Sequence, residues 1–406
     1  MRFAMVATFY PPYSFGGDAT YIRALAHGLA DRGHEVEVMH CQDAFEIGHK
    51  GPTPKDPQSH PGVKVHRLHS RFGPLSPLLT QQTGRPMLKA PALRRFLGEG
   101  GFDVVNFHNV SLVGGPGVFA YSRAPVTLYT LHEHWLVCPT HIFWKNREKA
   151  CDGRTCISCS LRSGVPPQLW RYTGLIEQGL AHVDRLLSPS AYTAGRHREY
   201  GITRPIDVLP LFSVFGDDEA PPAWKQPDRP RFLYAGRVTA SKGIEPLLRA
   251  FAALPQYDLQ IVGDGDQREA LIGAYGACGN IRFLGHMPQA ELKGLYQSAN
   301  ALILPSIAPE TFGLTVVEAA SCGTPAIVRA GAGGSPEIVE TFGGGFVYGS
   351  EAELKDAIER LATDGSLRRR MGALARSAYE ERYTAARHLD SYLATVEAIA
   401  AQKAGA

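Results

Sequence analysis

The chain has 406 residues, with 42 Lys plus Arg against 39 Asp plus Glu (net charge +3), 44% apolar and 20% charged residues. At roughly 150 residues per domain, that length suggests two or three domains, each large enough to bury a core. The composition excludes a disordered or fibrous chain, and the near-neutral charge argues against a domain built for nucleic acid.

Phe3–Thr8 is a short apolar run that stops before Pro11-Pro12. It is too short for the core of a signal peptide and reads as a buried first strand, which points to the cytoplasm. No segment has the apolar length of a membrane span. The loop Pro11–Asp18 follows, where Gly16 and Gly17 let a ligand approach the backbone; a plain turn has the same composition. Thr20–Arg32 sets Ile22, Leu25, Ala26 and Leu29 on one helical face, with Gly33 as its stop. Val36–Met39, Asp103–Phe107, Val126–Thr130 and Arg185–Leu187 are further strand-like runs. Arg85–Gly100 places Lys89, Arg94 and Arg95 beside Leu88, Leu93, Phe96 and Leu97. That pattern fits a basic helix on an anionic membrane or an ordinary surface helix.

The acidic, Pro-rich stretch Phe212–Pro230 reads as a linker. Beyond it, strands are predicted at Phe232–Ala235, Leu259–Val262, Ile281–Leu284, Ala301–Leu304 and Ala326–Val328. Helices are predicted at Ile244–Ala253, Gln267–Tyr275, Ala290–Ser298 and Gly313–Ala320. Apolar runs alternating with helices predict parallel sheets covered on both faces. The expected fold is α/β, with two doubly wound domains whose strand ends, where ligands bind, face a shared cleft. Residues 1–211 form the first domain, with a Cys-rich insertion at 138–159. Residues 212–230 are the linker, 231–385 the second domain, and 386–406 a helix packing back across both.

Three motifs carry chemistry. Gly236-Arg237-Val238-Thr239-Ala240-Ser241-Lys242-Gly243 lies between a predicted strand and helix, where Arg237 and Lys242 reach an anion at the helix start. A Gly-rich turn with two solvated cations has the same sequence. Glu310-Thr311-Phe312-Gly313-Leu314-Thr315-Val316-Val317-Glu318 places two carboxylates near one helix N-terminus, and Glu318 among apolar residues needs a polar partner. The Gly16-Gly17 loop is the third.

In order and spacing, these motifs resemble a retaining GT-B glycosyltransferase of family four, the glycosyl transferases group 1. The resemblance extends through Gly33-His34-Glu35-Val36, Val262-Gly263-Asp264-Gly265, Phe283-Leu284-Gly285 and Gly333-Gly334-Ser335-Pro336-Glu337-Ile338-Val339. It implies two Rossmann-like domains and transfer of a hexosyl unit from a nucleotide-diphosphate sugar, UDP- before GDP-, to a sugar, lipid-linked or small-molecule acceptor. Arg237 and Lys242 would neutralise the diphosphate and Glu310 would hold hydroxyls of the transferred sugar. Glu318 would bind the ribose, and backbone at Gly285 and His286 would meet the base. Gly16, Gly17, Gly236, Phe312, Gly313, Leu314 and Thr315 complete the donor set. His132, at a strand end in Thr130–Trp135, would touch the transferred sugar, with His108 and Asn109 on the acceptor side. The resemblance implies no catalytic metal and no protein nucleophile, and the near-neutral charge implies no nucleic-acid partner. It fits polysaccharide, lipid-linked oligosaccharide or glycoconjugate synthesis in the cytoplasm, at or near the inner face of the membrane. A nucleotide-sugar 2-epimerase shares the fold and is the runner-up.

Cys138, Cys151, Cys156 and Cys159 are spaced for a closed tetrahedral Zn²⁺ site, structural in role, with His134 or His141 able to replace one thiolate. An iron–sulfur cluster, disulfides and free thiols are the other readings. A zinc-ribbon binding module is the competing class, disfavoured by the near-neutral charge.

Overall fold

The computed structural model describes residues 1–49, 51, 60–213, 215 and 223–405. The strands in chain order are β1 (Arg2–Ala7), β2 (Glu35–Cys41), β3 (Val63–Leu68), β4 (Val104–Phe107), β5 (Val126–Thr130), β6 (Trp144–Lys145), β7 (Lys149–Ala150), β8 (Arg185–Ser188) and β9 (Ile206–Val208). They continue with β10 (Arg231–Ala235), β11 (Asp258–Val262), β12 (Ile281–Gly285), β13 (Ala301–Leu304), β14 (Ala326–Arg329) and β15 (Gly345–Tyr348). The chain divides into two compact units. One comprises Met1–His141, Thr155–Pro210 and His388–Ala406; the other comprises Ile142–Arg154 and Leu211–Arg387.

The first unit is built on a seven-stranded parallel sheet in the order β3-β2-β1-β4-β5-β8-β9. β1, β4 and β5 are buried along almost their whole length, which is why they read as mainly apolar runs. The order reverses between β1 and β4, so the loops leaving these two strands diverge. That crevice is where open α/β sheets bind ligands.

Residues from His388 onward group with this unit. The His388 ring Nε2 lies 2.6 Å from the Tyr21 hydroxyl on the helix Gly17–Asp31. Asn106 Nδ2 donates to the Tyr392 hydroxyl at 3.2 Å, and Lys403 Nζ reaches Asp184 Oδ1 at 2.9 Å.

The second unit repeats the plan with six parallel strands, β12-β11-β10-β13-β14-β15, and its own reversal between β10 and β13. Its helix Ile244–Ala252 buries Ile244, Leu247, Leu248 and Phe251 against the sheet. The β6–β7 hairpin, inside the segment assigned from sequence to the first domain, groups with this unit, and Arg147 Nη2 approaches Asp266 Oδ2 at 3.7 Å. Of the sequence-predicted linker, residues 214 and 216–222 lie outside the described residues.

The basic segment Arg85–Gly100 forms a short turn at Met87–Lys89 and a helix at Ala90–Glu99. Leu93, Phe96 and Leu97 are buried in the core, and Lys89 is buried with Nζ donating to Ser76 Oγ at 3.0 Å. Its apolar face is therefore spent on packing. Among the described residues, no helix is long and apolar enough to cross a membrane.

Candidate active site

Several of the sequence-predicted residues lie in the loops that leave the strands beside each reversal. In the second unit, the Gly236–Gly243 loop leaves β10 and the Glu310 loop leaves β13, the two strands flanking its switch point. Adjacency of those strands lets residues 68 apart in sequence meet: Lys242 Nζ lies 2.5 Å from Glu310 Oε1. Ser306 Oγ donates to the same oxygen at 2.5 Å. Burial raises the Glu310 pKa, but the charge and hydrogen bond of Lys242, the Ser306 hydroxyl and Arg237 outweigh it. Glu310 is thus held below the usual carboxylate range and ionised at neutral pH.

The backbone fixes this pair. Glu310 N–H donates to Ala332 O at 3.0 Å, and Gly334 N–H donates back to Glu310 O at 2.9 Å. Gly333 has φ +77°, and a Cβ there would stand 2.1 Å from Glu310 O, so the close approach demands glycine. Lys242 ends a short turn whose Ser241 O accepts the N–H groups of Ile307 and Ala308, both at 2.9 Å. The Arg237 side chain is exposed, while its carbonyl accepts the Tyr234 hydroxyl at 2.7 Å.

The helix Leu314–Ser321 begins at Gly313, φ +112°, where a Cβ would meet Ser335 Oγ at 2.4 Å. Its first turn, at Leu314 and Thr315, presents the N–H groups that any helix start leaves to a capping anion. Phe312 is buried beneath this turn, its ring edge-on to Tyr383 with centroids 5.9 Å apart. Glu318, a turn further on, is buried, and its Oε2 accepts the Tyr296 hydroxyl at 2.9 Å. Desolvation pushes its pKa up to about 7, against the opposite pull of that hydrogen bond. Two carboxylates on one motif therefore differ in protonation, a usual sign of divided roles. Gly285 closes β12 and His286 follows it, exposed.

In the first unit, exposed Gly16 caps the helix Gly17–Asp31 and exposed Gly17 opens it. His108 and Asn109 follow β4, buried, and His132 follows β5. His108 Nδ1 lies 2.9 Å from His132 Nε2, with the rings stacked at 5.2 Å. Burial lowers the His132 pKa to about 4, against a raising influence from Asp18. Burial and the His132 charge likewise push His108 well down. Both imidazoles are neutral at pH 7. Tyr21, which the sequence did not single out, packs its ring 5.2 Å from that of His132.

The four cysteines are distributed over both units. Cys138, Cys156 and Cys159 belong to the first and Cys151 to the second. Cys156 and Cys159 share the helix Cys156–Arg162, and Cys138 Sγ lies 3.3 Å from Thr140 Oγ1. Cys151 Sγ lies 3.4 Å from Gly153 O. His141, named as a substitute ligand, pairs through Nδ1 with Glu133 Oε2 at 2.7 Å, and His134 is buried against the His197 ring. Among the described residues, one group of three metal-ligating side chains has its ligand atoms within 4.8 Å of one another: Asp43, Glu46 and His69.

Comparison with known proteins shows the family and the fold. Residues 217–378 match the family model for glycosyl transferases group 1, and residues 16–211 match that for the glycosyl transferase 4-like domain. The chain is 30% identical to D-inositol 3-phosphate glycosyltransferase of Arthrobacter sp. strain FB24, over 94% of this chain and 91% of that protein. It is 28% identical to GDP-mannose-dependent alpha-mannosyltransferase of Mycolicibacterium smegmatis, over 93% and 92%. The crystal structure of Anabaena HepE in complex with UDP superposes with a TM-score of 0.66 at 17% identity, covering 98% of this chain and 100% of that one. The fold is GT-B, two Rossmann-like domains in one chain.

Proposed function

The chain belongs to the group 1 glycosyltransferases, and on that premise we propose that it transfers a hexosyl unit, with retention, from a nucleotide-diphosphate sugar to a hydroxyl acceptor. UDP-sugars are favoured over GDP-sugars, in line with the UDP bound by the HepE structure. The observation that carries the reading is the Lys242–Glu310 contact at the switch point of the second unit, beside exposed Arg237 and the start of the helix Leu314–Ser321. Two cations and a helix start stabilise a diphosphate as its charge grows, which lowers the barrier only if the stabilisation is greater in the transition state.

Ionised Glu310 accepts hydrogen bonds from hydroxyls of the transferred sugar. Glu318 accepts those of the ribose, and the backbone at Gly285 and His286 meets the base. The acceptor oxygen bonds to the anomeric carbon on the face from which the phosphate leaves, and its proton passes to the departing phosphate oxygen. No protein nucleophile is needed. Neutral His132 orients a sugar hydroxyl, and His108 and Asn109 face the acceptor. That acceptor is a sugar, a lipid-linked or a small molecule in polysaccharide, lipid-linked oligosaccharide or glycoconjugate assembly at the cytoplasmic side of a membrane. The four cysteines hold a structural zinc in this reading; for that their thiolates must converge on one ion, with tetrahedral donors.

Incubation with each common UDP-, GDP- and ADP-sugar, with detection of released nucleotide, tests the donor assignment. Release from UDP-sugars in the presence of an acceptor pool supports it. Release from GDP-sugars alone reverses the base preference, and release from none overturns the transferase reading.

A further inference from the structure

The helix Ala385–Ala404 buries two polar side chains, His388 and Tyr392, that no motif of the sequence picks out. They lie four residues apart and so share one face of the helix. Both group with the first unit, as do Tyr21, Asn106, Thr130 and the imidazole pair His108–His132. Each starts a short chain of contacts, and both chains end at that pair.

The first chain runs through Tyr21. Burial lowers the His388 pKa to about 4, against the raising effect of its bond to Pro210, so the ring is neutral at pH 7. Its Nδ1 lies 2.7 Å from Pro210 O. A carbonyl oxygen only accepts, so the single ring proton sits on Nδ1 and Nε2 is left to accept. The Tyr21 hydroxyl donates to it at 2.6 Å. Burial holds that phenol well above its ordinary pKa, so it keeps its proton. The Tyr21 ring in turn lies 5.2 Å from the His132 ring, at 60° to it, while His108 stacks on His132 at 24°. His132 is packed against one ring anchored to the carboxy-terminal helix and one that follows β4.

The second chain runs through the sheet. Asn106 Nδ2 donates to the Tyr392 hydroxyl, and Thr130 Oγ1 donates to Asn106 Oδ1 at 3.1 Å. Asn106 and Thr130 stand two residues before His108 and His132, at the ends of β4 and β5. This chain therefore ties together the two strand ends that carry the imidazoles. Tyr21, Asn106, Thr130, His388 and Tyr392 are all buried. Burying them costs desolvation that an apolar helix face would avoid, whereas a satisfied polar network fixes one arrangement of its members.

We propose that Tyr21, His388 and Tyr392 are positioning residues for the imidazole pair, holding His132 in the one orientation in which it meets the transferred sugar. The inference rests on the role given to His132 above. All three side chains are buried, so their effect on turnover passes through the imidazoles.

A mutant cycle on the full chain tests it, read as nucleotide release from UDP-glucose or from whichever nucleotide sugar the donor screen selects. Tyr21→Phe removes one hydroxyl and keeps the ring. It should lower kcat about fivefold, the scale of one hydrogen bond, with the donor KM and the affinity for free nucleotide unchanged. In a His132→Ala background the same substitution should change kcat by less than about twofold, because the group it positions is gone. Tyr392→Phe should follow the same pattern. His388→Gln, whose amide both donates and accepts, should lose less than His388→Leu. A second readout needs no substrate. With isotope-labelled histidine, the His132 ring resonances, identified by their loss in His132→Ala, should shift in Tyr21→Phe. An equal loss of kcat in both backgrounds, or unmoved His132 resonances, overturns the positioning role and leaves the role of His132 intact. A wild-type kcat in His132→Ala overturns that role and the proposal with it.

Discussion

Glu318→Gln is the perturbation that reads the second unit most directly. In the folded chain burial raises the Glu318 pKa to about 7 from an ordinary 4.5. Because the folded value is the higher one, the native state binds more protons than the unfolded state between those two values. Stability therefore falls as pH rises through that window, and the full cost is present above about pH 7. At 1.36 kcal/mol per unit, the cost is on the order of 3 kcal/mol. Glu318→Gln keeps an oxygen for the Tyr296 hydroxyl but carries no charge, so it removes the cost. Urea unfolding followed at pH 5 and pH 8 should show the variant more stable than wild type by about 1–3 kcal/mol at pH 8 and nearly equal at pH 5. Nucleotide binding has the opposite sign. Ribose hydroxyls donate to the carboxylate, so binding favours its ionised form, and wild-type affinity should rise by up to about tenfold per pH unit below 7 before levelling. The variant should bind more weakly and lose this dependence, while titration of the nucleotide's own phosphate stays common to both proteins. Parallel pH profiles for wild type and Glu318→Gln, in stability and affinity alike, would refute both the buried-acid argument and the ribose assignment.

Lys242→Ala and Arg237→Ala should each lower turnover by about 10²–10³-fold while far-ultraviolet circular dichroism stays unchanged; near wild-type rates in either would remove the diphosphate from this loop. Glu310→Gln should depress kcat with little change in nucleotide affinity, because its partner is the reacting sugar, and calorimetric titration with free nucleotide distinguishes it from Glu318→Gln. Elemental analysis of the purified chain should find about one zinc per molecule if the four cysteines act together. A metal-free protein with titratable thiols would leave the Cys138–Cys159 segment held by packing alone, and iron with a brown colour would mean a cluster.

The parts of this fold that were legible share one physical property: burial on both faces. β1, β4, β10 and β13 are the central strands of their sheets, and each reads as an apolar run with a loop behind it. β3 escaped notice because it is an edge strand whose exposed Lys64 and Arg67 break the run. β15 is the opposite edge of the second sheet, half-buried along most of its length, and β9 has only 3 residues. The basic helix after Arg85 shows a pattern that sequence alone leaves open. Its pattern of Leu and Arg is equally good for lipid and for a core, and only tertiary packing reveals that Leu93, Phe96 and Leu97 face inward.

The site residues were named from sequence one by one, but their pairing was not. Nothing local in the chain says that Lys242 meets Glu310, or that His108 meets His132 across 24 residues. These contacts follow from strand order: β10 lies beside β13 and β4 beside β5, and strand order is a long-range property. Tyr296 and Ser306 carry no motif at all, yet they help set the Glu318 and Glu310 protonation states. The motif places two acids on one short stretch of chain. The sheet then gives one of them a lysine and leaves the other a phenol, and that asymmetry separates a carboxylate ionised at every physiological pH from one that titrates near neutrality.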